Sequence, residues 1–370
     1  MAVSPAAAAR ESVEETLKRA RALLADGRAN EAVPALESVV SAQPGNAVAL
    51  SGLAQAYAAL RDPRALTTFE RAVAANPSNL PFRVEWVEYL WDTRRYEQGN
   101  AEMEKIIRAA PGNAKLHAHY GMNLASQSRY AQAAAEFDAA RRDGLDSGEV
   151  LFYLGSALWE VGRLEESEKY LREAVARDPD KAASRHRLGR LLLFRGKADL
   201  AVAELSRAAQ KSPDSAEIAL DYGRALEATQ KMADAEAAYR KALALEPGLS
   251  VTHYTLGTLL ARTGRREEAQ EHIAIYQDYF QKEQRRRFDA ASRQAELNLG
   301  WTKLDAGRFE EALAQFSRHP DDPEGLRGAA EALSRLGRHA EAVAKLEHAV
   351  LLDPDNRALR WELDREREKQ

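Results

Sequence analysis

Cysteine is absent from all 370 residues, which removes disulfides, thiolate metal ligands and cysteine nucleophiles together and fits either cytoplasm or periplasm. Aromatic residues are few, at 7%. Neither sign of charge dominates: 53 basic and 57 acidic side chains leave a formal net charge of −4, a balance that argues against nucleic-acid binding or a membrane-surface role. No apolar run is long enough to span a bilayer. The start, MAVSPAAAARESVEE, has no basic segment followed by an apolar core. The expectation is a cytoplasmic chain with a disordered or helical tail over residues 1–12, although a periplasmic chain whose leader had been removed would read the same. Phosphate-cradling patterns of the G-x-x-x-x-G-K-[ST] or G-x-G-x-x-G kind are missing. So is HExxH, and His117 and His119, two residues apart, point to different sides of a helix. The reading is therefore no metal, no cofactor and no catalytic residue.

What the chain does have is a period. Gly121, Gly155, Gly189, Gly223 and Gly257 recur at a constant spacing of 34 residues. With the glycine as the eighth position, one segment runs from Gly148 to Lys181 and the next from Ala182 to Ser215. Each carries apolar residues at helical spacing, a break at Gly162 or Gly196, a second helical pattern, and a stop at Pro179 or Pro213. Each unit is thus two amphipathic helices. Small residues at the eighth and twentieth positions let the two helices approach closely. A glycine in the turn supplies a positive φ where the first helix stops. Pairs such as Glu165-Glu166 and Glu310-Glu311 fall early in the second helices, where they complement the helix dipole.

These marks resemble the tetratricopeptide repeat family, whose pattern is W-x2-L-G-x2-Y, then A-x3-F, then P. The Leu-Gly element stands at Leu154-Gly155, Leu188-Gly189, Leu256-Gly257 and Leu299-Gly300. The A-x3-F element stands at Ala133 with Phe137, Ala201 with Leu205, Ala235 with Tyr239, and Ala312 with Phe316. The closing proline recurs from Pro44 to Pro354. The resemblance implies an all-α fold: a right-handed superhelical solenoid of about ten helix-turn-helix units with a C-terminal capping helix. The units open near Val13, Ala47, Leu80, Ala114, Gly148, Ala182, Ala216, Ser250, Arg293 and Pro323. Units one to eight occupy residues 13–291, units nine and ten 292–356, and the cap 357–370, with Leu359, Trp361 and Leu363 covering the last layer.

One interval departs from the period. Gly257 to Gly300 is 43 residues, and no Pro or Gly interrupts Arg265 to Leu299. This predicts that the eighth unit's second helix is extended to about seven turns, or is two helices joined by a kink. Arg285, Arg286 and Arg287 lie in this stretch and read either as a solvated helix face or as a patch for an acidic partner.

In the family, the first helix of each unit lines the concave face, through positions two, five, nine, twelve and thirteen. Mapped onto this chain, those positions place Glu88, Trp91 and Asp92, then Met122, Trp159 and Glu160, then His186, Arg190, Arg224 and Tyr254 in the groove. Trp91 and Trp159 share one repeat position, and Arg190 and Arg224 another. The two tryptophans and two arginines read as partner contacts; Phe152, Leu220 and Phe194 read as packing between first helices. The groove reads as acidic and aromatic in units three to five and basic in units six to eight. A clamp for chaperone C-termini, known in some family members, is not supported, since Lys115 and His119 approximate only its final part. The reading is a non-catalytic, bacterial protein-interaction scaffold that binds a peptide or helix of a partner protein, with no nucleic acid and no membrane insertion. Two alternatives remain open: a self-associating structural or assembly protein, with Trp361 the first suspect, and a regulatory subunit of an enzyme complex.

Overall fold

The computed structural model describes residues 12–354 and 356–369. The alanine run Ala6–Ala9 and nearly all of the expected tail lie outside the described residues. Among the described residues there are twenty helices and no strand. They pair as α1 (Val13–Ala25) with α2 (Ala29–Ala42), α3 (Ala47–Ala59) with α4 (Arg64–Ala75), α5 (Leu80–Asp92) with α6 (Tyr96–Ala109), α7 (Ala114–Ser126) with α8 (Tyr130–Arg142), and α9 (Gly148–Glu160) with α10 (Leu164–Arg177). The series continues with α11 (Ala182–Phe194) and α12 (Ala198–Lys211), α13 (Ala216–Ala228) and α14 (Met232–Leu245), then α15 (Ser250–Arg262) and α16 (Arg266–Asp305). It ends with α17 (Phe309–Phe316), α18 (Pro323–Arg335), α19 (His339–Leu352) and α20 (Arg357–Arg367). The chain divides into two compact units, Met1–Glu102 with Arg286–Gln370, and Met103–Arg285.

The 34-residue period has a steric cause. A Cβ on Gly189 would lie 2.5 Å from Leu205, and one on Gly223 would lie 2.5 Å from the ring of Tyr239. Gly121 meets Phe137, Gly155 meets Leu171 and Gly257 meets Ile273 in the same way. Each periodic glycine is therefore the floor of a socket for a large residue sixteen positions later. The turns close with a positive-φ residue: Gly27, Gly162, Gly196, Gly264, Gly307 and Gly337 where glycine is present, and Arg61, Arg94, Ser128 and Gln230 where it is not. The backbone need is the same at both kinds of turn, so the sequence shows only the first kind.

A polar clamp recurs beneath the sockets. Position four bonds position twenty-three of the same repeat: Arg83 to Glu102 at 2.6 Å, His117 to Glu136 at 2.7 Å and Arg185 to Glu204 at 2.7 Å. In the eighth repeat the acid is replaced by a histidine. His253 Nδ1 lies 2.9 Å from His272 Nδ1, and His253 Nε2 lies 3.1 Å from the Pro247 carbonyl. With both rings neutral, His253 donates through Nε2 and accepts at Nδ1, so His272 Nδ1 carries the shared hydrogen.

Burial first, then repulsion from His253 whenever that ring is protonated and from Arg240, hold His272 below the ordinary imidazole value, with Glu268 and Glu271 pulling the other way. The unfolded chain therefore takes the proton first. Stability is full above about pH 6.5 and falls as the pH drops below it. Between about pH 7 and 5.5, where free carboxylates stay ionised, the urea midpoint should fall, and His272→Gln should flatten that fall. An unchanged slope in the variant would remove the pair as the cause.

The extended helix is longer than expected. α16 runs unbroken for 40 residues, about 60 Å at 1.5 Å per residue. The second helix of the eighth repeat continues directly into the first helix of the ninth. Arg293, expected to open a new helix, and the expected boundary at 291–292 both fall inside it. The reason is visible in the residues: nothing between Arg266 and Leu299 interrupts the hydrogen-bond ladder, and Gly300 is retained as the socket for Phe316. At the C-terminus, Leu359 and Leu363 are buried against α18 and α19. Trp361 does not join them; it stays half-exposed with Arg365 5.4 Å from its ring.

Candidate protein-interaction surface

Within Met103–Arg285, neighbouring first helices lie side by side, α7 against α9, α9 against α11 and α11 against α13. Trp159, at the end of α9, is half-buried. The Arg187 guanidinium sits 4.3 Å from its ring and that of Arg190 5.7 Å, and Phe194 lies 6.3 Å away. Phe194 corrects the sequence reading: it is 68% exposed and packs little. The equivalent position of the next repeat is Ala228, too short to cover the ring. Met122 and Tyr254 are also exposed, and Tyr254 stands 5.1 Å from Tyr276 of α16.

The charged residues form a closed cluster around a carboxylate that sequence reasoning missed. Asp221, only 4% exposed, lies 2.8 Å from His186 Nε2 and 3.3 Å from Arg190 Nε, and accepts from Arg224 Nη1 at 2.9 Å. Burial pushes its carboxyl up, but the hydrogen bond from His186 and the charges of His186, Arg190 and Arg224 outweigh burial and keep it below the ordinary value. Glu160 accepts from Arg187 at 2.6 Å, Glu217 lies 3.6 Å from Arg190, and Glu227 pairs with Arg262. The arginines that read as a basic half-groove are each matched by an acid, so the predicted charge polarity cancels here. His186, Glu217 and Asp221 could bring one ligand atom each within 4.8 Å of one another. Two guanidiniums already occupy the Asp221 oxygens, so this donor set does not suit a cation.

Trp91, on α5, lies in the other unit, and there the two tryptophans part company. Trp91 is 5% exposed, not a surface residue. Its indole N–H donates to Asn100 Oδ1 at 2.9 Å, and a Cβ on Gly99 would stand 2.7 Å from its ring. In the fifth repeat the position of Gly99 is held by Ser167, whose hydroxyl donates to the Gly155 carbonyl at 2.6 Å and closes the space. The glycine at position twenty in the third repeat, with Val87 at position eight, was the signal that Trp91 belongs to the core. Glu88 and Asp92 are exposed on α5.

A run of socketed helix pairs with an exposed aromatic wall defines a helical-repeat protein. Two sequence families, each described as Tetratricopeptide repeat, match the chain, one at residues 121–182, 186–250, 254–325 and 297–358 and the other at residues 23–79. The chain belongs to the tetratricopeptide repeat family. No curated protein matches it. Among solved structures, MamA 41-end from Desulfovibrio magneticus RS-1 is 21% identical with a TM-score of 0.44, covering 46% of this chain and 96% of that one. YrrB, described as a TPR protein with an unusual peptide-binding site, is 20% identical with a TM-score of 0.44, covering 50% and 95%. MamA AMB-1 is 25% identical with a TM-score of 0.40, covering 45% and 90%. No described helix is long and apolar enough to cross a membrane.

Proposed function

We propose that this chain is a non-catalytic scaffold that holds a peptide or helix of a partner protein against the first-helix face of Met103–Arg285. Proteins of this family act as interaction scaffolds, and the observation that carries the reading is Phe194. An aromatic ring 68% exposed, beside a tryptophan held under two arginines, is surface that water solvates poorly and a partner side chain would cover. Met122 and Tyr254 extend that apolar contact. Because the arginines on this face are matched by acids, affinity comes from apolar burial and depends weakly on salt. His186, Arg190, Arg224 and Glu160 shape the wall, the two arginines donating and Glu160 accepting hydrogen bonds at its rim.

The test is to pan a random dodecapeptide library on the full chain and on a Trp159→Ala, Phe194→Ala double variant. Apolar peptides enriched by the first and lost on the second support the reading. Equal enrichment on both overturns it.

A further inference from the structure

The eighth repeat departs from the pairing used elsewhere in the chain, and the departure builds a pair of metal donors. Three other repeats set an arginine or histidine at position four against a glutamate at position twenty-three. The eighth sets His253 on α15 against His272 on α16. As a clamp the exchange gains nothing, because a charge-assisted bond is replaced by one neutral hydrogen bond. As a chelate it gains a second nitrogen ligand. His253 is only 8% exposed, and its ring is held from behind: Nε2–H donates to the Pro247 carbonyl, which leaves the Nδ1 lone pair facing α16. A backbone carbonyl behind the outer ring nitrogen is the usual support of a metal-binding histidine. The two histidines stand nineteen residues apart on different helices, so no short motif joins them.

The separation of the donors selects the ion. Nδ1 to Nδ1 is 2.9 Å. With metal–nitrogen bonds of about 2.0–2.1 Å, that spacing closes an N–metal–N angle of about 90°. Tetrahedral zinc would need about 3.3 Å between donors at the same bond length. Tetragonal Cu²⁺ takes neighbouring nitrogens at a right angle, and imidazole suits it. We propose that His253 Nδ1 and His272 Nδ1 chelate one Cu²⁺ ion. The ion sits beside the line joining the two nitrogens, so both rings turn slightly toward it. The hydrogen they share leaves His272 Nδ1 for Nε2 through water, and no net proton is released. The groove beside the pair is open to solvent, with a volume of about 510 Å³, and has room for the water ligands that complete the coordination. Arg240, the cation on its wall, is bonded to Glu236 at 2.9 Å and to Glu268 at 3.1 Å, so its charge is balanced. Bound there, the ion ties α15 to α16.

The full chain, stripped with EDTA and returned to chelator-free buffer above about pH 7, where both imidazoles are neutral, is titrated with copper(II) chloride by calorimetry and then frozen for electron paramagnetic resonance. One ion per chain should bind tightly, with splitting from two imidazole nitrogens in its spectrum. His272→Glu is the variant built to fold, because it recreates the pairing that His117 and Glu136 make at 2.7 Å in the fourth repeat. It should weaken copper binding at least about tenfold, a loss that even the supporting groups of metal sites cause, and reduce the spectrum to one nitrogen. His253→Gln should weaken binding as much from the other helix, so whichever variant stays folded decides the question. Copper bound as tightly by these variants as by the parent overturns the proposal. So does binding lost on His186→Gln instead, which would place the ion at the Asp221 cluster, and so does a parent chain that takes up no copper.

Discussion

Tyr239→Ala should lower stability by about 4 kcal/mol, the usual cost of emptying a buried aromatic site. Tyr239 is fully buried on α14, with its ring over Gly223 and its hydroxyl donating to Glu227 Oε2 at 2.8 Å. Removing the ring leaves a cavity at the crossing of α13 and α14 that neither helix can close, because both are pinned by the repeats on either side. Tyr239→Phe keeps the ring and loses one hydrogen bond, a cost of about 1 kcal/mol. Gly223→Ala approaches the same site from below. The new methyl meets rigid ring atoms at 2.5 Å, an overpacking cost of about 1–3 kcal/mol against a helix-propensity gain of about 1 kcal/mol. Urea unfolding followed by circular dichroism reads all three. A Tyr239→Ala variant within about 1 kcal/mol of the parent would mean that the glycine sockets do not hold the repeats together.

Trp159→Ala with Phe194→Ala should weaken binding of library-selected peptides about a hundredfold, as expected when two interface anchors each contribute more than 1.4 kcal/mol. The helical signal should barely change, since Phe194 touches little and Trp159 is only half-buried. Trp91→Ala, at the same repeat position as Trp159, should do the reverse. It should cost about 3–5 kcal/mol of stability and leave the affinity of the folded protein intact. Fluorescence anisotropy of labelled peptides gives the first result and thermal unfolding the second. Equal binding losses from Trp91 and Trp159 would contradict the assignment of one to the core and the other to the surface.

Much of this was legible in the residues, for a physical reason. Gly121 to Gly257 recur because each must admit a large side chain from the opposite helix, so a steric need is written as a spacing. Helix ends at glycines and prolines read equally well. The turns at Arg61, Arg94, Ser128 and Gln230 did not, because those residues adopt a positive φ only under the constraint of the neighbouring helices. Repeat position was a poor guide to exposure. Trp91 and Trp159 differ because of Gly99 and Ser167, residues on the facing helix, and Phe194 is bare because Ala228 is short. Asp221 was passed over because its partners come from two different helices, His186 and Arg190 on α11 and Arg224 on α13. The merger of two helices into α16 was half legible: the missing stop signals were plain, but not that the ninth repeat would give up its own helix start.

Hydroxyl-radical footprinting of the full chain, with and without a library-selected peptide, tests the proposed surface most directly, because it reads the solvent exposure of individual side chains. Phe194, Met122 and Tyr254 should react freely in the absence of peptide and become protected on binding, while Trp91 stays unreactive and the exposed Leu351 stays reactive throughout. Unchanged reactivity at Phe194, with protection appearing instead on the second helices, would contradict the account.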